Sequence, residues 1–169
     1  NPLAIPMTAR IAGAPIALSR EHLKDAIPHA TGKLLLLVHG LCMNDMQWKC
    51  VRADGSHHDH GQALQQTHGY TTVYLHYNTG LAIADNGRAL AELLERLVEA
   101  WPVAVEELNV LAHSMGGLVC RSYLARHGSD RVERLITISS PHSGSELARI
   151  GIGKNAREME SGSLWLKDL

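Results

Sequence analysis

The residues best suited to chemistry lie at 112–117, where the sequence reads Ala-His-Ser-Met-Gly-Gly. They follow the apolar run 108–111, so the pattern predicts a strand, a tight turn with Ser114 at its apex, and a helix. Such a turn exposes the serine hydroxyl and aims a helix N-terminus at the group it attacks. Ala112 and Gly116 flank the serine, and both are small enough for strand and helix to cross closely. The pattern therefore predicts a nucleophilic serine.

Two further apolar runs end in turns of the same kind. Residues 33–41 read Lys-Leu-Leu-Leu-Leu-Val-His-Gly-Leu, which predicts a buried parallel strand ending at His39 and Gly40. The glycine lets the backbone turn sharply, so that an amide can point into the site. Residues 135–145 form another buried strand that ends in a Pro-His-Ser-Gly turn.

Together these three motifs resemble the α/β-hydrolase superfamily, in its bacterial lipase and esterase branch. The resemblance rests on 39–41, 112–117 and 140–145, and it spans roughly residues 33–148. It implies an α/β fold with a mostly parallel sheet and helices on both faces. Elbows of the form Ala-x-Ser-x-Gly occur in some bacterial lipases, so Ala112 agrees with this branch.

The resemblance implies a role for each motif residue. Ser114 is the nucleophile, and the backbone N–H groups of Met115 and Leu41 stabilise the oxyanion. Each such donor is worth about 2.7–4 kcal/mol. We expect three residues to lie beside the substrate: Gly40, His39 as a brace of the oxyanion turn, and His142 as the structural histidine of the Pro-His-Ser-Gly turn. No cofactor or metal is expected.

The general base and its acid partner are not identified in the sequence. Ser114, Asp130 and His142 obey the superfamily order of nucleophile, acid and histidine. However, Asp130 enters strand 132–138 at its amino end, which places it about 20 Å or more from the serine. His127 lies at the far end of the elbow helix. We therefore expect acid and base on strands that follow residue 169 or belong to a second chain.

These residues predict a serine hydrolase that cleaves carboxylic esters of lipids or other acyl compounds through an acyl-enzyme on Ser114. Thioester or amide hydrolysis and acyl transfer stay open, because no residue separates them. The alternative from another class is a binding or scaffold module that keeps the elbow without a working base.

Length, net charge and composition limit the class of protein and its partners. The chain has 169 residues, a formal net charge of −1 and 45% hydrophobic residues, which predicts a single domain over 1–169 without nucleic-acid partners. No apolar stretch approaches the ~20 residues of a membrane-spanning helix. The three cysteines show no metal-ligand spacing, and the histidine-rich segment 54–61 is interpreted as a solvated loop. Because the chain begins with Asn1, we expect a missing native N-terminus and leave the compartment open, with the cytoplasm favoured.

The elements that position the site alternate between strands and helices. Alternation of this kind predicts a parallel sheet covered on both faces. Its outer edge at strand 132–138 is expected to be unpaired, so the chain should associate with itself or unfold in isolation. Residues 143–169 are interpreted equally well as a lid over the site and as a packed surface helix. The remaining predictions are edge strands in 3–18, helices at 20–27, 62–67, 90–101 and 115–127, and strands at 71–77 and 107–112.

Overall fold

Six strands form one mixed sheet in the computed structural model, which describes residues 5–151 and 153–169. The eight strands of the described residues are β1 (Thr8–Ile11), β2 (Ala14–Pro15), β3 (Lys33–Val38), β4 (Lys49–Val51), β5 (His57–Asp59), β6 (Thr71–His76), β7 (Glu107–His113) and β8 (Arg134–Ile138). Two of them, β4 and β5, pair with each other in a separate sheet. The helices are α1 (Arg20–Ala26), α2 (His60–His68), α3 (Ile83–Ala100), α4 (Met115–His127), α5 (Lys154–Met159) and α6 (Leu164–Lys167), with 3-10 helices at Asp45–Trp48 and Glu146–Ile150.

The strand order in the sheet is β2-β1-β6-β3-β7-β8. β6, β3, β7 and β8 run parallel, whereas β1 and β2 continue the sheet as antiparallel strands. This arrangement confirms the predicted fold class and the predicted edge strands, although residues 3 and 4 of the 3–18 segment lie outside the described residues. Since β3 and β7 are central and parallel, their carboxyl ends meet at one rim of the sheet.

One face of the sheet is covered by α3 and α4. Leu90, Leu94 and Leu97 are fully buried on α3, and burying each such side chain contributes roughly 1.5–3 kcal/mol. Gly87 lets the helices approach, because a Cβ there would lie 2.6 Å from the Ser122 hydroxyl. The helix begins at Ile83, seven residues before the predicted start. The apolar pattern did not reveal these first turns, because they carry few large apolar residues.

The other face is covered by α2 and the 3-10 helix Asp45–Trp48. Trp48 packs there with Leu37 and Tyr74. The interpretation of 54–61 as a solvated loop is confirmed for the exposed residues 54–56. It is wrong for 57–61, which contain β5, paired with β4, and the start of α2. The Asp59 carboxylate stabilises this structure by accepting the first amides of α2 and the Tyr74 hydroxyl.

β8 lies at one edge of the sheet. It begins at Arg134, two residues later than predicted, and no strand of the described residues pairs with its outer side. Ile136 and Ile138 are about half exposed on the face that α2 covers elsewhere, so this end of the sheet carries an open apolar surface.

The C-terminal segment packs against the sheet rim near the start of α3. Met159 and Leu166 are buried in the main core. Asn155 donates a 2.9 Å hydrogen bond to the Thr79 carbonyl, and the Glu158 carboxylate accepts the Ile83 amide at 2.5 Å. A lid role for 143–169 stays a prediction. Within the described residues, no helix is both long and apolar enough to span a bilayer.

Candidate active site

Ser114 occupies a strained turn between β7 and α4. Its backbone has φ 53° and ψ −127°, a combination that residues other than glycine rarely adopt and that costs about 1–3 kcal/mol. The Ser114 amide donates to the Ile138 carbonyl at 2.8 Å, and its carbonyl accepts the Gly117 amide at 3.0 Å. Backbone bonds on both sides therefore hold the strain in place. Ser114 is half-buried, and its backbone has the conformation expected of a nucleophile elbow.

Gly116 explains why small residues flank the serine. A Cβ at this position would lie 2.6 Å from the His39 carbonyl oxygen and 2.9 Å from that of Val38. Both atoms are backbone, so a side chain would have to push the end of β3 away. Ala112, in the other flanking position, is fully buried. The end of β3 therefore approaches α4 closely, whereas the sequence pattern predicted the close crossing between α4 and its own preceding strand β7.

The turn after β3 lies directly against the nucleophile. A Cβ on Gly40 would meet the Ser114 Cβ at 3.0 Å and the His113 Nδ1 at 2.9 Å, so a side chain there would have to displace the His113 ring and crowd the serine. Cys42, at the other side of the turn, also has a positive φ of 57°. The two motifs lie 74 residues apart in the chain, from Gly40 to Ser114, and the parallel sheet brings them together.

The hydrogen bonds of this turn set the direction of the Leu41 amide. The Gly40 carbonyl accepts the His39 ring at 2.9 Å and the Met43 amide at 3.3 Å. In a trans peptide the N–H of the next residue points the opposite way, so the Leu41 N–H is directed away from this turn's own acceptors. Among residues 5–151 and 153–169, no acceptor is found for the amide of Leu41 or for that of Met115.

His39 is a neutral histidine beneath the turn. It is fully buried and stacks on Tyr77, with 4.3 Å between ring centroids. Burial lowers the pKa of His39 below its ordinary value, because the charged form loses its hydration. Since a carbonyl can only accept, the Nδ1 that faces Gly40 must carry the proton. His39 thus holds the turn as a hydrogen-bond donor without being charged.

A cluster around the buried Asp45 carboxylate lies on the same side of the sheet rim. The Asp45 carboxylate lies 3.2 Å from the Arg10 Nε and 3.3 Å from the His76 Nδ1. Neither contact has hydrogen-bond geometry, so the contact between Asp45 and Arg10 acts through charge. The His76 and His39 rings are 6.0 Å apart. Sequence analysis missed this cluster, because nothing in the spacing of these residues indicates that they meet.

The structure does not bring the downstream histidines to the nucleophile. His142 is exposed in the turn after β8, where its Nε2 lies 3.1 Å from the Thr137 hydroxyl and its carbonyl accepts from Arg121 at 3.0 Å. His127 stacks on Tyr123 at the far end of α4. Within the described residues, neither histidine forms a hydrogen bond with the serine.

Exposed apolar side chains surround the turn. Met43 is 52% exposed and Leu81 is 44% exposed, and Leu41 is also open to solvent. The two loops that carry them are tied by the Cys42 amide, which donates to the Thr79 hydroxyl at 3.2 Å. Apolar surface at the mouth of a site favours a substrate with an apolar part.

The mixed sheet, the strained serine turn and the adjoining glycine turn define the class as an α/β-hydrolase of the lipase and esterase type. The model of the PGAP1-like alpha/beta domain family matches residues 29–153. The chain belongs to this family.

Individual relatives agree with the class. A triacylglycerol lipase from Burkholderia plantarii is 31% identical over 151 residues, which cover 86% of this chain and 40% of the relative. One from Pseudarthrobacter phenanthrenivorans is 32% identical over 124 residues, covering 70% and 36%. The mature lipase BlEst2 of Bacillus licheniformis shares the fold, with a TM-score of 0.67, 21% identity, and coverage of 96% of this chain and 64% of that one. The chain spans about two fifths of the length of the curated relatives it matches.

Proposed function

We propose that Ser114 is the nucleophile of a carboxylic-ester hydrolase. Its Oγ attacks the ester carbonyl carbon and transfers its proton to a base, and the carbonyl oxygen becomes an oxyanion. Collapse of this intermediate releases the alcohol, which takes up the proton, and leaves an acyl group on the serine. Water then hydrolyses the acyl-enzyme by the same steps, so that the acid is released and the serine hydroxyl is restored.

In this proposal the backbone amides of Leu41 and Met115 bind the oxyanion. Both are free of internal acceptors within the described part of the chain, and Met115 opens a helix of 13 residues whose N-terminal end favours negative charge. Preformed donors of this kind need no reorganisation during the reaction. Gly40 allows the turn to approach, and His39 keeps it oriented.

The observation that carries the proposal is the backbone of Ser114. A strained, non-glycine residue at φ 53° survives only where the surrounding structure holds it, and such residues cluster at functional sites. Here the strain holds a hydroxyl beside the Gly40 turn and at the start of α4.

For the substrate, we infer an ester with an acyl chain. The exposed apolar side chains at the turn support this inference, as does the name triacylglycerol lipase carried by both curated relatives. The general base and its acid partner are proposed to come from outside residues 1–169, since His127 and His142 make other contacts. Gly40 is proposed to lie beside the substrate, and the buried His39 to brace the turn from beneath. The place of His142 beside the substrate stays a prediction.

The test is active-site labelling of the full-length protein with a fluorophosphonate, which reacts with activated serines. We expect labelling of the wild-type chain and its loss in Ser114→Ala. Ser129→Ala, an exposed serine beyond the far end of α4, serves as the matched control and should label normally. Hydrolysis of p-nitrophenyl esters of increasing acyl length then tests the substrate class. A folded wild-type protein that does not label would favour the scaffold alternative.

A further inference from the structure

The peptide between His39 and Gly40 is held at both ends. The buried Tyr77 hydroxyl donates to the His39 carbonyl at 2.7 Å, and the Gly40 amide donates to the Gln47 Oε1 at 2.9 Å. Because carbonyl and amide belong to one planar unit, the two bonds together fix its rotation about the chain. This peptide directly precedes the one that carries the Leu41 N–H.

Gln47 comes from a short element with strong anchors. The 3-10 helix Asp45–Trp48 begins at Asn44, whose side chain accepts the Met46 amide at 2.9 Å. The Asp45 carboxylate holds this short helix against Arg10 and His76. Trp48 packs into the core beneath β3 and β6. The half-buried Gln47 side chain between them is therefore presented to Gly40 from a rigid support.

We propose that Gln47 is a positioning residue for the oxyanion hole. It touches no substrate and acts through Gly40, by keeping the 39–40 peptide in the rotation that directs the next amide toward the nucleophile. The inference rests on the proposed function of Ser114 and Leu41. Only the acceptor oxygen is needed at this position, because the bond runs from the Gly40 N–H to the glutamine.

Two substitutions separate this role from simple packing. Gln47→Met keeps the length of the side chain but removes the acceptor, whereas Gln47→Glu keeps an acceptor oxygen at the same reach. Loss of one direct oxyanion donor lowers kcat by about 10²–10³. Because the donor is loosened here rather than deleted, we expect Gln47→Met to lower kcat and the labelling rate roughly 10-fold. KM should change little, and Gln47→Glu should stay within about 3-fold of wild type.

Measurements use the full-length protein, with fluorophosphonate labelling rates and steady-state hydrolysis of a p-nitrophenyl ester. Gln66→Met, at an exposed position on α2, makes the same chemical change away from the site and should behave as wild type. A wild-type kcat in folded Gln47→Met, a rise in KM alone, or equal damage from Gln47→Glu would each overturn the inference. Labelling that persists in Ser114→Ala would instead contradict the proposed function.

Should Gln47→Met fail to fold, Tyr77→Phe tests the same peptide from its other end. The phenyl ring keeps the stacking on His39 but cannot donate to the carbonyl. We expect a similar fall in kcat with KM retained, and a Tyr77→Phe protein with wild-type kcat would overturn the inference equally.

Discussion

The close crossing of α4 over the end of β3 makes Gly116→Ala a sharp test of the site geometry. The added Cβ would start 2.6 Å from the His39 carbonyl oxygen, so that oxygen must retreat by about 0.4 Å to restore even a tight 3.0 Å contact. Overpacking of this kind costs about 1–3 kcal/mol. The better helix propensity of alanine offsets up to about 1 kcal/mol. We therefore expect the free energy of unfolding to fall by roughly 1–2 kcal/mol.

The same displacement should slow the chemistry. The His39 carbonyl belongs to the peptide that precedes the oxyanion turn, and a misplacement of 1 Å at a reacting centre can lower a rate about 10²-fold. A shift near half an ångström should reduce fluorophosphonate labelling roughly 5- to 10-fold per folded molecule. Urea unfolding followed by tryptophan fluorescence measures the stability, and labelling is scored on the folded fraction.

Gly128→Ala is the control on the same helix. Gly128 has φ 75° with no atom within 4 Å of an added Cβ, so its replacement strains the backbone without a clash. It should lose about 1–3 kcal/mol of stability and keep the wild-type labelling rate. An equally stable Gly116→Ala protein, or slow labelling in both variants, would refute the reasoning.

Three other substitutions probe separate parts of the structure. Ser114→Gly relieves about 1–3 kcal/mol of backbone strain, whereas the entropy cost of glycine is about 0.5–1 kcal/mol. Thermal unfolding should therefore show a more stable protein. A less stable variant would contradict the strain at Ser114. Leu94→Ala leaves a cavity at a fully buried position and should lower the free energy of unfolding in urea by about 2–5 kcal/mol. The folded fraction should still react with the fluorophosphonate at the wild-type rate. A loss below about 1 kcal/mol would contradict the place of Leu94 in the core. The pKa of His39 is lowered in the folded state, so the unfolded chain binds more protons just below pH 6.5. The free energy of unfolding therefore decreases as the pH is lowered through this range. His39→Asn, which cannot take up this proton, should flatten the stability profile just below pH 6.5, and an unchanged slope would contradict this linkage.

Local patterns account for the parts of the site that were predictable. The elbow helix at 115–127 coincides with α4, and the strand before it ends one residue later than predicted. Both follow from sequence neighbours: an apolar run, a small residue on each side of the serine, and Gly128 as the stop. The approach of the Gly40 turn was predictable because parallel strands end at one rim.

Long-range contacts account for what was missed. The β4–β5 hairpin has a polar, histidine-rich sequence, and it is stabilised by the bonds from Asp59 to α2 and Tyr74 rather than by any strand pattern. Gln47 and Asp45 belong to a single 3-10 turn. Gln47 binds Gly40 in the turn after β3, and Asp45 contacts Arg10 on β1 and His76 on β6. No spacing rule along a chain connects such residues, because the sheet order alone decides which of them meet.

The hydrogen bond that the Ile83 amide donates to the Glu158 carboxylate has a consequence for biosynthesis. It joins residues 75 positions apart, so the acceptor for the opening amide of the longest helix is translated well after that helix. At roughly 5–20 residues per second, the ribosome needs about 4–15 s to add the intervening residues. During that interval the Ile83 amide is left to water, and it gains its protein acceptor only after the distant carboxylate has been translated.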